Sequence, residues 1–141
     1  MISKWDCTPC QLCGNGTLHD GNKTVEQYYR GHRYTSIIHG SFCDHCADGF
    51  VEFDATEEDK WLLFRDQVDA EEASELVRIR KKLKISQKEA ARLTGGGKNA
   101  FSRYERGQAK PVAAVVNLFK LLDKHPELLS EFKESDDLNC Q

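Results

Sequence analysis

Three consecutive glycines, Gly95–Gly97, interrupt the most regular stretch of the chain and fix its local geometry. No continuous helix survives such a run, and the backbone there is free to take the positive φ of a tight turn. On the N-terminal side stands a helix-start signal. Ser86 and Glu89 form an S-x-x-E capping box just before the apolar positions Ala90, Ala91 and Leu93. On the other side a second helical run covers about Lys98–Glu105, with Gly107 suited to end it. The spacing predicts a helix-turn-helix over Ser86–Gly107. In its second helix Phe101 and Tyr104 can face inward, while Asn99, Arg103 and Arg106, at i, i+4 and i+7, share the opposite face.

That outward set has the chemistry to read base pairs. Arg offers a fork that matches guanine O6 and N7, and Asn matches the adenine N6/N7 edge. Side chains of this kind near the N-terminal end of a helix are how a recognition helix reads the major groove. Gln87, Lys98 and Ser102 complete the candidate DNA-binding set. The alternative is an ordinary helical hairpin with a solvated polar face, and local charge separates the two. Arg78–Lys110 holds 11 Lys and Arg against only Glu89 and Glu105, a balance of 11 − 2 = +9, whereas the whole chain is formally −3. Positive charge concentrated in this way is a phosphate-binding footprint.

The 141 residues allow one medium domain or two small ones. Mean hydropathy is −0.63 and 30% of residues are charged, so a soluble chain is expected. No apolar run approaches the ~18 residues of a membrane span, and the N-terminus MISKWDCTPC has no apolar signal core. The expected location is therefore a reducing cytoplasm, where the six cysteines are better read as metal ligands than as disulfides. Cys10-x-x-Cys13-Gly14 and Cys43-x-x-Cys46 supply four thiolates in two knuckles, the tetrahedral demand of Zn²⁺. Cys7-x-x-Cys10 is a competing pair. Gly14 directly after Cys13 favours Cys10 and Cys13 as the ligands, with His19, His32, His39 and His45 as nearby alternatives. Four protein ligands would close the site, leaving one structural Zn²⁺ per chain and no open position to activate water. No catalytic motif is present, so the chain is not expected to be an enzyme.

These parts fall into an α+β, two-domain arrangement. Residues 1–53 read as a small β-rich segment. Thr24–Arg30 and Arg33–Ile38 are expected to pair as a hairpin about Gly31-His32, and Phe50–Phe53 to return as a third strand. Thr56–Val68 has amphipathic helical spacing in Trp61, Leu62, Phe64, Arg65 and Val68, with Thr56 as its cap. Asp69 and Glu72 offer a new capping box for a helix to about Leu83, although no Gly or Pro marks the boundary, which leaves continuous helix open. A zinc domain with a trailing helix over 1–68 and an all-α, five-helix, helix-turn-helix domain over 69–134 follow, with a disordered acidic tail over 135–141 carrying Cys140. Asp54–Glu75 carries nine acidic residues against Lys60 and Arg65, so the two halves differ in charge. The apolar run Val112, Val115, Val116, Leu118, Phe119, Leu121 and Leu122 exceeds what a monomer surface exposes, pointing to a homodimer through the C-terminal domain.

LTGGGKNAFSRYERG followed by LLDKHPELLSEF resembles the DNA-binding half of the MqsA-type antitoxins of bacterial toxin–antitoxin systems. The pair of C-x-x-C knuckles resembles that family's zinc domain. The likeness covers about Cys10 to Phe132 and is dense from Arg80 onward. It implies an XRE/Cro-like C-terminal domain that dimerises on a palindromic operator in double-stranded DNA and represses its own operon. It also implies a zinc domain that neutralises an mRNA-cleaving toxin. By motif, the base-reading residues fall on Asn99 and Arg103, and the zinc ligands on Cys10, Cys13, Cys43 and Cys46. Cys7 and the acidic tail depart from the family pattern. The competing reading is a zinc-containing helix-turn-helix regulator whose N-terminal partner is something other than a toxin.

Overall fold

The computed structural model describes residues 1–132; the expected tail, with Cys140, lies outside them. The architecture is α+β: three antiparallel strands, then helices. The chain divides into two compact units, Met1–Arg65 and a second beginning at Asp66.

In the first unit β1 (Leu18–Tyr29) and β2 (His32–Cys43) pair along their full length, and β3 (Gly49–Val51) adds to the far end of β2, in the order β1-β2-β3. The hairpin turn is Arg30-Gly31, with φ of +50° and +85°, the type I′ geometry that suits the strand twist. The sequence reading placed this turn one residue late and made both strands too short. Gly21 and Gly40, poor strand formers by propensity, sit opposite each other in register. Gly40 is required by packing: a Cβ there would lie 2.1 Å from the Phe50 carbonyl oxygen of β3. Phe53, expected in the third strand, lies beyond it and is exposed.

One helix, α1 (Ala55–Lys82), replaces the two expected between Thr56 and Leu83. Its cap is Asp54, whose Oδ1 accepts from Thr56 and Glu57 N–H at 2.9 and 3.3 Å, so Thr56 is an internal residue. Asp69 does not start a new helix. The stretch has no Gly or Pro, Gln67 bonds Glu71 one turn on (3.1 Å), and Asp69 pairs with Lys110 at 2.9 Å. Trp61 and Phe64 pack on Tyr34 with ring centroids 5.3 and 4.8 Å apart, and the Arg65 guanidinium lies over Tyr29. Leu62, expected on this face, is exposed.

The second unit continues with α2 (Gln87–Leu93), α3 (Ala100–Glu105), α4 (Ala113–Lys124) and a 3₁₀ turn, Pro126–Leu128, that leads into helical residues 129–132. Its core is Leu76, Ile79, Leu83, Ile85, Ala90, Ala91, Phe101, Val115, Phe119, Leu122 and Leu129. Four of the α4 apolar residues (Val115, Val116, Phe119 and Leu122) are therefore buried within the unit itself. The surface left for a partner is smaller than the sequence run implied: Val112, Leu121 and Leu128 are its exposed apolar members.

Candidate metal centre and nucleic-acid interface

Cys10, Cys13, Cys43 and Cys46 converge, with their four Sγ atoms all within 4.8 Å of one another. Cys10–Cys46 and Cys13–Cys43 are 3.8 and 3.7 Å apart. A disulfide needs ~2.05 Å. A tetrahedral ion with metal–sulfur bonds of ~2.3 Å sets its sulfurs about 3.8 Å apart, so these cysteines can hold a metal ion. Both knuckles share one construction. The residue after the second cysteine takes positive φ (Gly14 +73°, Ala47 +62°), and its N–H returns to the carbonyl of the first cysteine at 3.0 and 3.1 Å. N–H groups then face the sulfurs: Asn15 to Cys13 at 3.5 Å, His45 to Cys43 at 3.3 Å and Cys46 to Cys43 at 3.5 Å.

Thiols this close resist joint ionisation. The hydrogen bond to Asp48 backbone favours the Cys46 thiolate, but desolvation and the facing thiols of Cys43, Cys13 and Cys10 outweigh it and push Cys46 up to about 12. A bound cation reverses that balance, since only the deprotonated sulfur ligates. The alternative ligands go elsewhere. Cys7 is exposed outside the cluster with its N–H on the Leu18 carbonyl; His19 pairs with Asp44 (3.1 Å) and His39 with Asp20 (2.8 Å). Two supporting residues carried no sequence signal. Asp44, between the second pair of ligands, accepts from Thr17 N–H (3.0 Å), and this bond, then His19, holds its carboxyl below the usual range. Gly16 is the other: a Cβ there would sit 2.3 Å from Cys43 Sγ.

In the second unit α2 begins with the capping box read from sequence: Glu89 N–H to Ser86 Oγ at 3.1 Å and Ser86 N–H to Glu89 Oε2 at 3.0 Å. Gly95, at φ +73°, turns the chain after Thr94. Asn99 is the N-cap of α3 rather than a residue inside it, and its side chain makes no capping bond. Lys98, Asn99, Arg103 and Arg106 are exposed together, Ser102 is half-buried, and Phe101 anchors the other face at 0% exposure. Gln87 is turned inward, its amide donating to Glu105. Glu105 also accepts from Arg80 Nε at 2.5 Å, and Arg80 Nη1 reaches the Ile85 carbonyl at 3.0 Å.

The positive charge counted along the sequence is partly spent inside the fold. Arg78 and Lys82 hold Asp123, Arg80 holds Glu105 and Lys110 holds Asp69. Lys81, Lys84, Lys88, Lys98 and Arg103 are exposed without an ion pair among the described residues, and they spread from the end of α1 through α2 to α3.

Residues 8–133 match the family described as the antitoxin component of bacterial toxin–antitoxin systems, MqsA. The chain belongs to the MqsA antitoxin family. It is similar to Antitoxin MqsA of Escherichia coli (strain K12), 41% identical across 88% of this chain and 98% of that protein. Antitoxin HigA-2 of Vibrio cholerae serotype O1 is similar over a shorter stretch, 35% identical over 60 residues, or 43% of this chain and 58% of its own length. The MqsA match includes all four clustered cysteines and the whole α2–α3 pair, and leaves Cys7 outside. As an antitoxin, the chain has a toxin as its partner class. No helix among the described residues is long and apolar enough to cross a membrane.

Proposed function

We propose that this antitoxin is also a DNA-binding autorepressor, in which α2, the glycine turn and α3 form the helix-turn-helix of an XRE/Cro-like, five-helix domain. The observation that carries this is the free amide of Asn99. An Asn at an N-cap ordinarily caps its own helix; this one does not, and it stands exposed one turn from Arg103, with Lys98 and Arg106 flanking. Asn99 and Arg103 read base edges in the major groove, while Lys98, Ser102, Arg106 and the exposed lysines meet phosphates. Gln87 contributes less directly, by fixing Glu105. The domain works as a homodimer on a palindromic operator, through Val112, Leu121 and their neighbours.

In the same proposal the cysteine cluster holds one structural Zn²⁺, which fits the donor set and its spacing. Residues 1–68 hold the toxin, an RNase, and residues 69–134 hold DNA, in a bacterial cytoplasm whose reducing conditions keep the ligands as thiolates. The protein has no catalytic role of its own. Titration of the antitoxin against its own promoter tests the DNA half. Asn99→Ala and Arg103→Ala each cost ~1–3 kcal/mol and relax sequence preference. Lys88→Ala weakens all sequences alike and flattens the salt dependence. Unchanged preference in both Asn99→Ala and Arg103→Ala would refute α3 as the reading element.

A further inference from the structure

Beside β2 lies an open groove of about 410 Å³. The pair flanking the Arg30-Gly31 turn is Tyr29 and His32. In a two-residue hairpin that pair is hydrogen-bonded, and the bonding side alternates along the strand from there. The odd-numbered residues of β2 therefore turn their N–H and C=O away from β1. Two bonds confirm it: Glu52 N–H meets the His39 carbonyl at 2.8 Å, and Cys43 N–H meets the Asp48 carbonyl at 2.7 Å. The register of β3 reaches only Gly40–Phe42, so among the described residues the edge groups of Thr35 and Ile37 have no strand beside them.

The groove is built for more than solvent. Tyr34, Ile38 and Trp61 give it an apolar lining, and Ile37 and Phe53 stand exposed at its border. Ser36 also lines it. That residue is only 7% exposed, and its hydroxyl has no hydrogen-bond partner among the described residues. Such an unpaired hydroxyl is costly, but its oxygen is closed to solvent, so it offers an incoming segment no direct contact. Gln27, Val51 and His39, which pairs with Asp20, complete the uncharged part of the lining, and four carboxylates, Glu52, Asp54, Glu57 and Glu58, stand beside them with no Lys or Arg. Lys60 offsets Glu57 (2.7 Å), which leaves the border negative.

We propose that the free β2 edge at Thr35–Ile37 takes an extended segment of the toxin as an added strand, with an aliphatic side chain entering the groove and a Lys or Arg beside Glu52 and Glu58. This rests on the toxin reading above and names its docking surface. Strand addition supplies backbone hydrogen bonds, the groove supplies side-chain selection, and the carboxylates steer a basic partner.

The test is calorimetric titration of full-length, metal-loaded antitoxin with the toxin encoded by the reading frame beside its gene. Ile37→Pro removes the outward N–H without touching the β1 ladder, which an edge position tolerates. Glu58→Lys reverses the border charge and leaves the backbone alone. Thr24→Pro makes the same backbone change on the far edge of the sheet. Ile37→Pro weakens binding by about tenfold or more and Glu58→Lys by several-fold, more so at low salt, while Thr24→Pro binds as wild type. Wild-type affinity in Ile37→Pro and Glu58→Lys would overturn the docking surface and leave the toxin reading intact. Equal losses in Thr24→Pro would overturn it as general damage to the sheet. A change in the oligomeric state of Ile37→Pro without toxin would assign the edge to a second antitoxin copy instead. A wild-type antitoxin that fails to bind the toxin would defeat the toxin reading itself.

Discussion

Gly16 shows how much a single missing methyl group matters at the metal centre. Its carbonyl accepts from Cys10 N–H at 2.8 Å, while the place of its absent Cβ is filled by Cys43 Sγ, Asp44 Oδ1 and His45 Cβ, at 2.3, 2.8 and 2.9 Å. These neighbours belong to the tightest part of the second knuckle and cannot swing aside as the tip of a long side chain would. Gly16→Ala is therefore expected to spread the four sulfurs and weaken metal binding by about 10-fold or more, the scale seen when groups supporting a metal ligand are lost. Competition against a chromophoric chelator measures this directly. An alanine variant with wild-type metal affinity would mean that the loop shifts freely. The same glycine explains why the C-x-x-C pattern alone understates the site, since the residue lies in neither knuckle.

At the scale of elements, two ionic contacts tie the helices of the second unit together, and they differ in burial. The Arg80–Glu105 pair joins α1 to the end of α3, with side chains only 14% and 8% exposed. Removing one partner strands a buried charge, so Arg80→Ala should cost ~3–5 kcal/mol in denaturant unfolding. Arg80→Met with Glu105→Leu should restore most of that stability, because the penalty comes from the orphaned charge. Asp123 behaves differently. Arg78 first, then Lys82, hold its carboxyl well below the usual aspartate range, at 2.7 and 2.8 Å. A group whose pKa is depressed on folding contributes stability above its unfolded value, about 3.9, and loses it as pH falls further. The stability gap between wild type and Asp123→Asn is thus expected to be constant near neutrality and to close below about pH 4. A gap that widened on acidification would contradict the pairing.

Across the whole molecule the two units are stabilised by different means. The buried cluster around the cysteines is Cys10, Leu18 and Cys43, with Trp5, Cys13 and Phe50 packed against it, so three of its six members are candidate metal ligands. The second unit has a separate apolar core of ordinary composition. Small domains with so little buried apolar surface depend on a staple. Chelation, or Cys10→Ser, is accordingly expected to unfold the sheet while the amide protection of α2–α4 persists; Cys7→Ser should change neither. Hydrogen exchange by residue distinguishes this from global unfolding, which would show a core shared between the units.

The sequence by itself determined what depends on neighbours along the chain. The Ser86–Glu89 capping box, the turn at Gly95, the inward Phe101 and the paired cysteine knuckles are all set within a few residues, where backbone geometry leaves few choices. The family resemblance was legible for the same reason, being carried by short dense motifs. Tertiary structure alone decided matters that turn on residues far apart. Gly40 has no role along the chain until β3 needs its space, and Arg80 and Lys82 count toward the phosphate-binding footprint until Glu105 and Asp123 neutralise them. The α4 valines read as an interface until the unit's own core buries them. Asp69 reads as a cap, yet a helix stops only where something breaks it, and nothing between Ala55 and Lys82 does. Local hydrogen bonding is written in adjacent residues; burial and charge pairing are decided by what the fold brings from elsewhere.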